Sequence, residues 1–113
     1  MEPICAFDRI IPGRGVAALL ADGTQAAVFR LHDDSLFAVS NLDPFTGANV
    51  ISRGIVGDRA GEPVVMSPLL KQAFALKTGE CLDDPSASLD VYAVEVLGGE
   101  VRVGVGAELK AAA

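Results

Sequence analysis

Short apolar runs alternate along the chain with breaks rich in glycine, proline and aspartate, and no long stretch keeps helical spacing. The opening segment alternates loosely around Ile4, Ala6 and Ile10 until Pro12 and Gly13 interrupt it. Val16 to Leu20 and Thr24 to Leu31 flank Asp22-Gly23, a strong hairpin signal. A turn over His32 to Ser35 and a strand over Leu36 to Val39 extend this into an antiparallel meander. Further on, Val64 to Met66 and Gln72 to Leu76 read as strands. The turn at Lys77 to Glu80 places Gly79 where a positive φ is needed. Val91 to Leu97 alternates, Gly98-Gly99 turns the chain, and Val101, Val103 and Val105 return in the clearest hairpin of the sequence. The pattern predicts one all-β domain over residues 1–106, with small antiparallel sheets or a small barrel, and a frayed tail over 107–113.

The segment from Asn41 to Pro63 breaks the rhythm. It carries four glycines and two prolines, and also Phe45, Val50, Ile51, Ile55 and Val56. Ordinary connections run about 4–6 residues. A connection this long with its own apolar set reads as a folded excursion, with room for a short helical turn near Val50 to Arg53.

Composition narrows the class. Half of the 113 residues are hydrophobic and 21% are charged, which argues against disorder. Nine basic and fifteen acidic residues leave a net charge of −6. That balance disfavours nucleic acid and anionic membrane surfaces as partners. The N-terminus lacks the basic start and apolar run of a signal peptide, and no apolar stretch approaches the length of a membrane span. With Cys5 and Cys81 as its sole cysteines, the chain reads as a reduced, cytoplasmic protein.

Self-contained chemistry finds little support. The single histidine, His32, falls in a turn; neither CxxC nor GxSxG occurs; the glycine clusters match no phosphate-binding fingerprint. Read alone, the residues describe a compact β domain without catalytic groups of its own.

Two segments carry more when taken together. Asp43-Pro44-Phe45-Thr46-Gly47 and Ser67-Pro68-Leu69-Leu70, closing on Phe74, keep the prolines, Gly47 and the phenylalanine of the Rieske pattern CPHxG and CPxHGxxF. The downstream Thr78-Gly79, Leu82, Pro85, Leu89 and Tyr92 to Val94 also fit that frame. The chain therefore resembles a Rieske-like [2Fe–2S] domain from about Ile4 to Val105. The four ligand positions hold Asp43, Phe45, Ser67 and Leu70. A Rieske cluster requires two thiolates and two imidazoles. The resemblance thus implies a Rieske-like fold without its cluster, with Phe45 and Leu70 filling the vacated space by apolar packing. The stretches Pro44 to Val50, Ser52 to Asp58, Ser67 to Pro85 and Val91 to Val96 are similar, more narrowly, to the small subunits of assimilatory NAD(P)H-dependent nitrite reductases.

That narrower resemblance implies an accessory role. The large subunit of such enzymes carries FAD, a [4Fe–4S] cluster and sirohaem, and passes six electrons from reduced nicotinamide to nitrite, giving ammonium. This chain would hold no cofactor, metal or catalytic residue and would act through its partner. The two loops and the 49–62 excursion form the expected contact region, with Arg53, Arg59 and Lys71 as polar anchors and Ile51, Ile55, Val56 and Leu69 as apolar ones. Two other functions stay open: a stand-alone binding or regulatory module, and an electron carrier with its own cluster.

Overall fold

The computed structural model describes residues 1–104. Val105 and the tail assigned to 107–113 lie outside the described residues. Among the described residues ten strands form three antiparallel sheets. The central sheet orders β2 (Arg14–Leu19), β3 (Gln25–Arg30), β4 (Leu36–Ser40) and β8 (Val91–Tyr92) as β2-β3-β4-β8. A second sheet runs β1 (Glu2–Ala6), β10 (Glu100–Val103), β9 (Val94–Leu97), and a third runs β5 (Ile55–Arg59), β6 (Glu62–Met66), β7 (Ala73–Ala75).

The central sheet is covered on both faces. Successive side chains of a strand point to opposite sides. In β3, Ala27 and Phe29 enter one core with Val39, Ile51, Val65, Phe74, Leu76, Cys81 and Leu89. Ala26 and Val28 enter the other, with Ile10, Leu20, Ala38, Tyr92, Val101 and Val103. The unbroken apolar run Ala26 to Phe29 is the mark of a strand buried on both sides. Cys81 belongs to the first core and Cys5 packs against the second, so the central sheet separates the two thiols and both are free.

Two elements differ from the sequence reading. The 41–63 excursion is folded as expected, with a short 3-10 turn at Ile51–Arg53, but it also contains β5 and the start of β6. These two strands form a hairpin through Ala60 and Gly61, both at positive φ. The alternating run Val91 to Leu97 is two strands: it pairs with β4 up to Tyr92, then leaves at Ala93 to pair with β10. The hairpins at Asp22-Gly23 and Gly98-Gly99 form as predicted.

Aspartates close several turns in one way. Asp22, Asp33 and Asp84 each accept the backbone N–H of the residue two places on, at 3.0 Å, and its hydroxyl at 2.6 Å. The hydroxyls of Thr24, Ser35 and Ser86, followed by those N–H groups, hold the three carboxyls below the usual aspartate range. The N–H of Ala73, followed by Arg59, does the same for Asp83. Depressed values mean that folding favours the charged carboxylates. Their stabilisation is complete above the unfolded value, about 3.9, and is lost as pH falls through the lower folded values. Thermal melts from pH 7 to 2.5 should show a Tm that drops below about pH 4, and less steeply after Thr24→Ala with Ser86→Ala. An unchanged slope in that variant would remove the turns as the cause.

Candidate functional site

The two segments carrying the Rieske-type pattern fold into matching six-residue loops. In the first, the Asp43 N–H donates to the Ala48 carbonyl at 2.8 Å, and the Asp43 carbonyl accepts from the Gly47 N–H at 2.8 Å. In the second, the Ser67 N–H donates to the Gln72 carbonyl at 2.9 Å, and the Ser67 carbonyl accepts from the Lys71 N–H at 3.1 Å. The fifth residue of each loop is left-handed: Gly47 at φ 75° and Lys71 at φ 62°. Proline in second position supplies a fixed φ that suits this closure.

The first residues of the loops meet. Asp43 is fully buried and Ser67 is 1% exposed. The Ser67 Oγ donates to Asp43 Oδ2 at 2.5 Å, and the Phe45 N–H donates to Asp43 Oδ1 at 2.8 Å. The Leu69 N–H reaches Ser67 Oγ at 3.4 Å. A buried carboxylate is tolerable where donors such as these satisfy it. The hydrogen bond joins two loops 24 residues apart in sequence. Asn41 anchors the approach to the first loop: buried, it donates to Gln25 Oε1 at 3.0 Å and accepts from the Ser52 N–H at 2.7 Å.

The residues matching the outer ligands behave differently. Phe45 packs on the first core, its ring 6.2 Å from that of Phe74 and tilted by 45°. It fills space as expected. Leu70 does not: it is 53% exposed at the tip of the second loop. The closure at Ser67 and Lys71 presents the tip outward, so the apolar filling comes from the first loop alone.

The expected contact residues also divide. Leu69 is 50% exposed and Ile55 69%. Ile55 pairs with Met66, the residue before the second loop, and so stands at that loop's root. Arg53 and Lys71 are exposed, whereas Arg59 is bonded to Asp83 at 3.2 Å. Ile51 is fully buried in the first core and cannot be a contact; Val56 is half-buried against the same core. Leu42 and Leu82, which the sequence did not single out as contacts, are exposed beside the loops: Leu42 bridges Asn49, and the Leu82 N–H bonds the Ala73 carbonyl. Their signal was an apolar side chain next to an aspartate in a turn, which alone marks no surface.

The four ligand positions offer a carboxylate, a phenyl ring, a hydroxyl and an isobutyl group. They do not fit a cluster that takes thiolate and imidazole donors. Among the described residues, no three His, Cys, Asp or Glu side chains are grouped to hold a metal. His32 is exposed, its ring beside Gly13. It lines a cleft of about 660 Å³ with Phe37, Asp58, Pro63 and Lys77. No residue of either loop lines that cleft. Among the described residues no helix is long and apolar enough to cross a membrane.

Residues 1–104 match the family of Rieske-like [2Fe-2S] domains. The nitrite reductase (NADH) small subunit of Salmonella typhimurium is 46% identical over 103 residues, 90% of this chain and 94% of that protein. The nitrite reductase [NAD(P)H] large subunit of Klebsiella oxytoca is 41% identical over 103 residues, which are 91% of this chain and 11% of that one. A crystal structure from Mycobacterium tuberculosis, assigned as an NADH-dependent nitrite reductase small subunit, superposes with a TM-score of 0.88 at 58% identity, covering 90% of this chain and 91% of that one.

Proposed function

The chain belongs to the Rieske-like domain family and, within it, to the nitrite reductase small subunits, and from that membership we propose that it is the accessory subunit of an NAD(P)H-dependent nitrite reductase. The observation that carries this reading is its 46% identity over 94% of a nitrite reductase small subunit. The likeness to one segment of a large subunit supports the choice of partner, because the same domain is there part of the large polypeptide.

In this reading residues 1–106 act as one unit, and the redox groups sit on the partner: FAD, a [4Fe–4S] cluster and sirohaem. The small subunit carries none, since Asp43, Phe45, Ser67 and Leu70 offer no thiolate and no imidazole. It works in the cytoplasm, where reduced nicotinamide is at hand. It contributes by binding: Arg53, Arg59, Lys71, Ile55 and Leu69 form the contact. Arg59 exchanges its bond to Asp83 for one to the partner, while Arg53 and Lys71 have no ion pair to give up among the described residues.

Reconstitution tests the reading. The large subunit of the same cell, purified without this chain, should gain NAD(P)H-dependent nitrite reduction or thermal stability when the chain is added. The two should co-elute on gel filtration, and the added chain should bring no iron of its own. Failure to co-elute, with rate and stability unchanged, would overturn it.

A further inference from the structure

We propose that the tip of the second loop, Leu69-Leu70-Lys71, is the principal anchor on the large subunit, its leucines entering an apolar pocket that carboxylates rim on that partner. The proposal rests on the small-subunit reading and adds to it the place and chemistry of contact.

Backbone strain at Lys71 gives the first reason. Its φ of 62° lies in the left-handed region, which glycine adopts freely and lysine does not. The matching residue of the first loop is Gly47. Strained residues persist where the surrounding structure holds them, and they cluster at binding and switch sites. Lys71 itself is exposed, and no carboxylate lies within ion-pair distance among the described residues.

The second reason is the form of the tip. Leu69 and Leu70 are half exposed although the loop is closed by two backbone hydrogen bonds and tied through Ser67 to buried Asp43. The apolar groups are thus presented on a fixed support, and little entropy is lost when they dock. Ile55 and Leu82 flank the loop and extend the apolar surface.

Charge selects the occupant. The chain as a whole carries −6, yet Lys71 and Arg53, two of the five basic residues outside any ion pair among the described residues, stand at this end of the molecule. A two-fold contact with a second copy through the tip would set Lys71 against Lys71. A partner with carboxylates around an apolar pocket complements the tip. The large subunit is the candidate that the fused Klebsiella polypeptide supports.

The test measures the Kd of the complex with the holo large subunit and the Tm of the free small subunit for the same variants. Leu69→Ser with Leu70→Ser should weaken binding by at least about 10-fold, as truncation of an interface anchor does, with the Tm of the free chain held. Lys71→Gly should move the two readouts in opposite directions, raising Tm by relief of strain while weakening binding. A merely structural lysine would not do this. Leu19→Ser and Leu97→Ser, more exposed than the tip leucines but on β2 and β9, should bind as the wild type does. If the wild type binds and the tip variants bind equally well, docking lies elsewhere and the proposal falls while the small-subunit reading stands. If the wild type does not bind the large subunit, both fall. Self-association of the wild type that the tip variants abolish would assign the tip to a second copy and overturn the proposal.

Discussion

Replacing Gly79 with alanine is expected to remove most of the stability of the domain. Gly79 sits at φ 77° in the turn after β7, and a Cβ there would lie 1.9 Å from the backbone carbonyl oxygen of Leu89. No rotamer relieves a clash between backbone and Cβ. The two strands of chain cannot separate without loss, because the Leu89 N–H donates to the Gly79 carbonyl at 2.7 Å and the Gly79 N–H donates to that of Ala75 at 2.7 Å. Moving Leu89 would also withdraw it from the first core. The conformational cost alone is about 1–2 kcal/mol; with the displaced core the loss should reach about 4 kcal/mol or more. Domains of this size hold about 5–15 kcal/mol in all. Gly98→Ala supplies the contrast: its φ is 60° but its surroundings are open, so the cost should stay near the conformational part, about 1–2 kcal/mol. Urea unfolding of both variants would decide it. Equal midpoints would show that the turn yields and that the contact with Leu89 is unimportant.

The same turn illustrates what the sequence made legible. Glycine in Lys77 to Glu80 announced a positive φ, but only the fold brings Leu89 against it, ten residues on. The hairpins at Asp22-Gly23 and Gly98-Gly99 were readable because turn chemistry and flanking apolar runs agree. β5 was not. It is an edge strand whose side chains, Val56 apart, are exposed, so no alternation marks it, and the hairpin to β6 puts Ala60, a residue with no turn signature, at positive φ before Gly61. The division of Val91 to Leu97 was hidden for the opposite reason: alternation runs on through Ala93 while the strand changes partners. Periodicity reports which way side chains point, not which strand lies alongside.

The candidate site shows a similar limit. Its four loop positions were readable from the proline and glycine frame around them, and Phe45 packs inward as an aromatic beside Phe74 should. The sequence assigned Leu70 inward too, on its apolar character. Inside a closed turn the strand parity that would justify such an assignment does not exist, and the backbone hydrogen bonds of Ser67 turn the tip to solvent. Ile51 failed in the reverse sense. It stands in a glycine-rich connection, yet its N–H bonds the Asn41 carbonyl and draws the side chain into the first core.

Ser67→Ala is expected to cost about 2–3 kcal/mol, far more than the removal of an ordinary hydroxyl, because it strips a buried carboxylate of a donor. Asp43 is fully enclosed, and its side chain accepts from the Ser67 hydroxyl and the Phe45 N–H. Water cannot take the place of the hydroxyl without opening the loops. The effect should therefore depend on the charge of its partner. With Asp43→Asn in place the carboxylate is gone, and adding Ser67→Ala should cost only about 1 kcal/mol, the worth of a bond between neutral groups. The difference, at least about 1 kcal/mol, is the coupling that a double-mutant cycle reads from four unfolding curves. Additive losses would mean that Asp43 and Ser67 are buried side by side without depending on one another. Coupling would mean that the pair fastens the two loops together where, in a Rieske domain, cysteine thiolates would meet iron. Since the tip Leu69-Leu70-Lys71 is carried on the loop that Ser67 begins, loss of that fastening should also weaken binding to the large subunit, although neither Asp43 nor Ser67 reaches the surface.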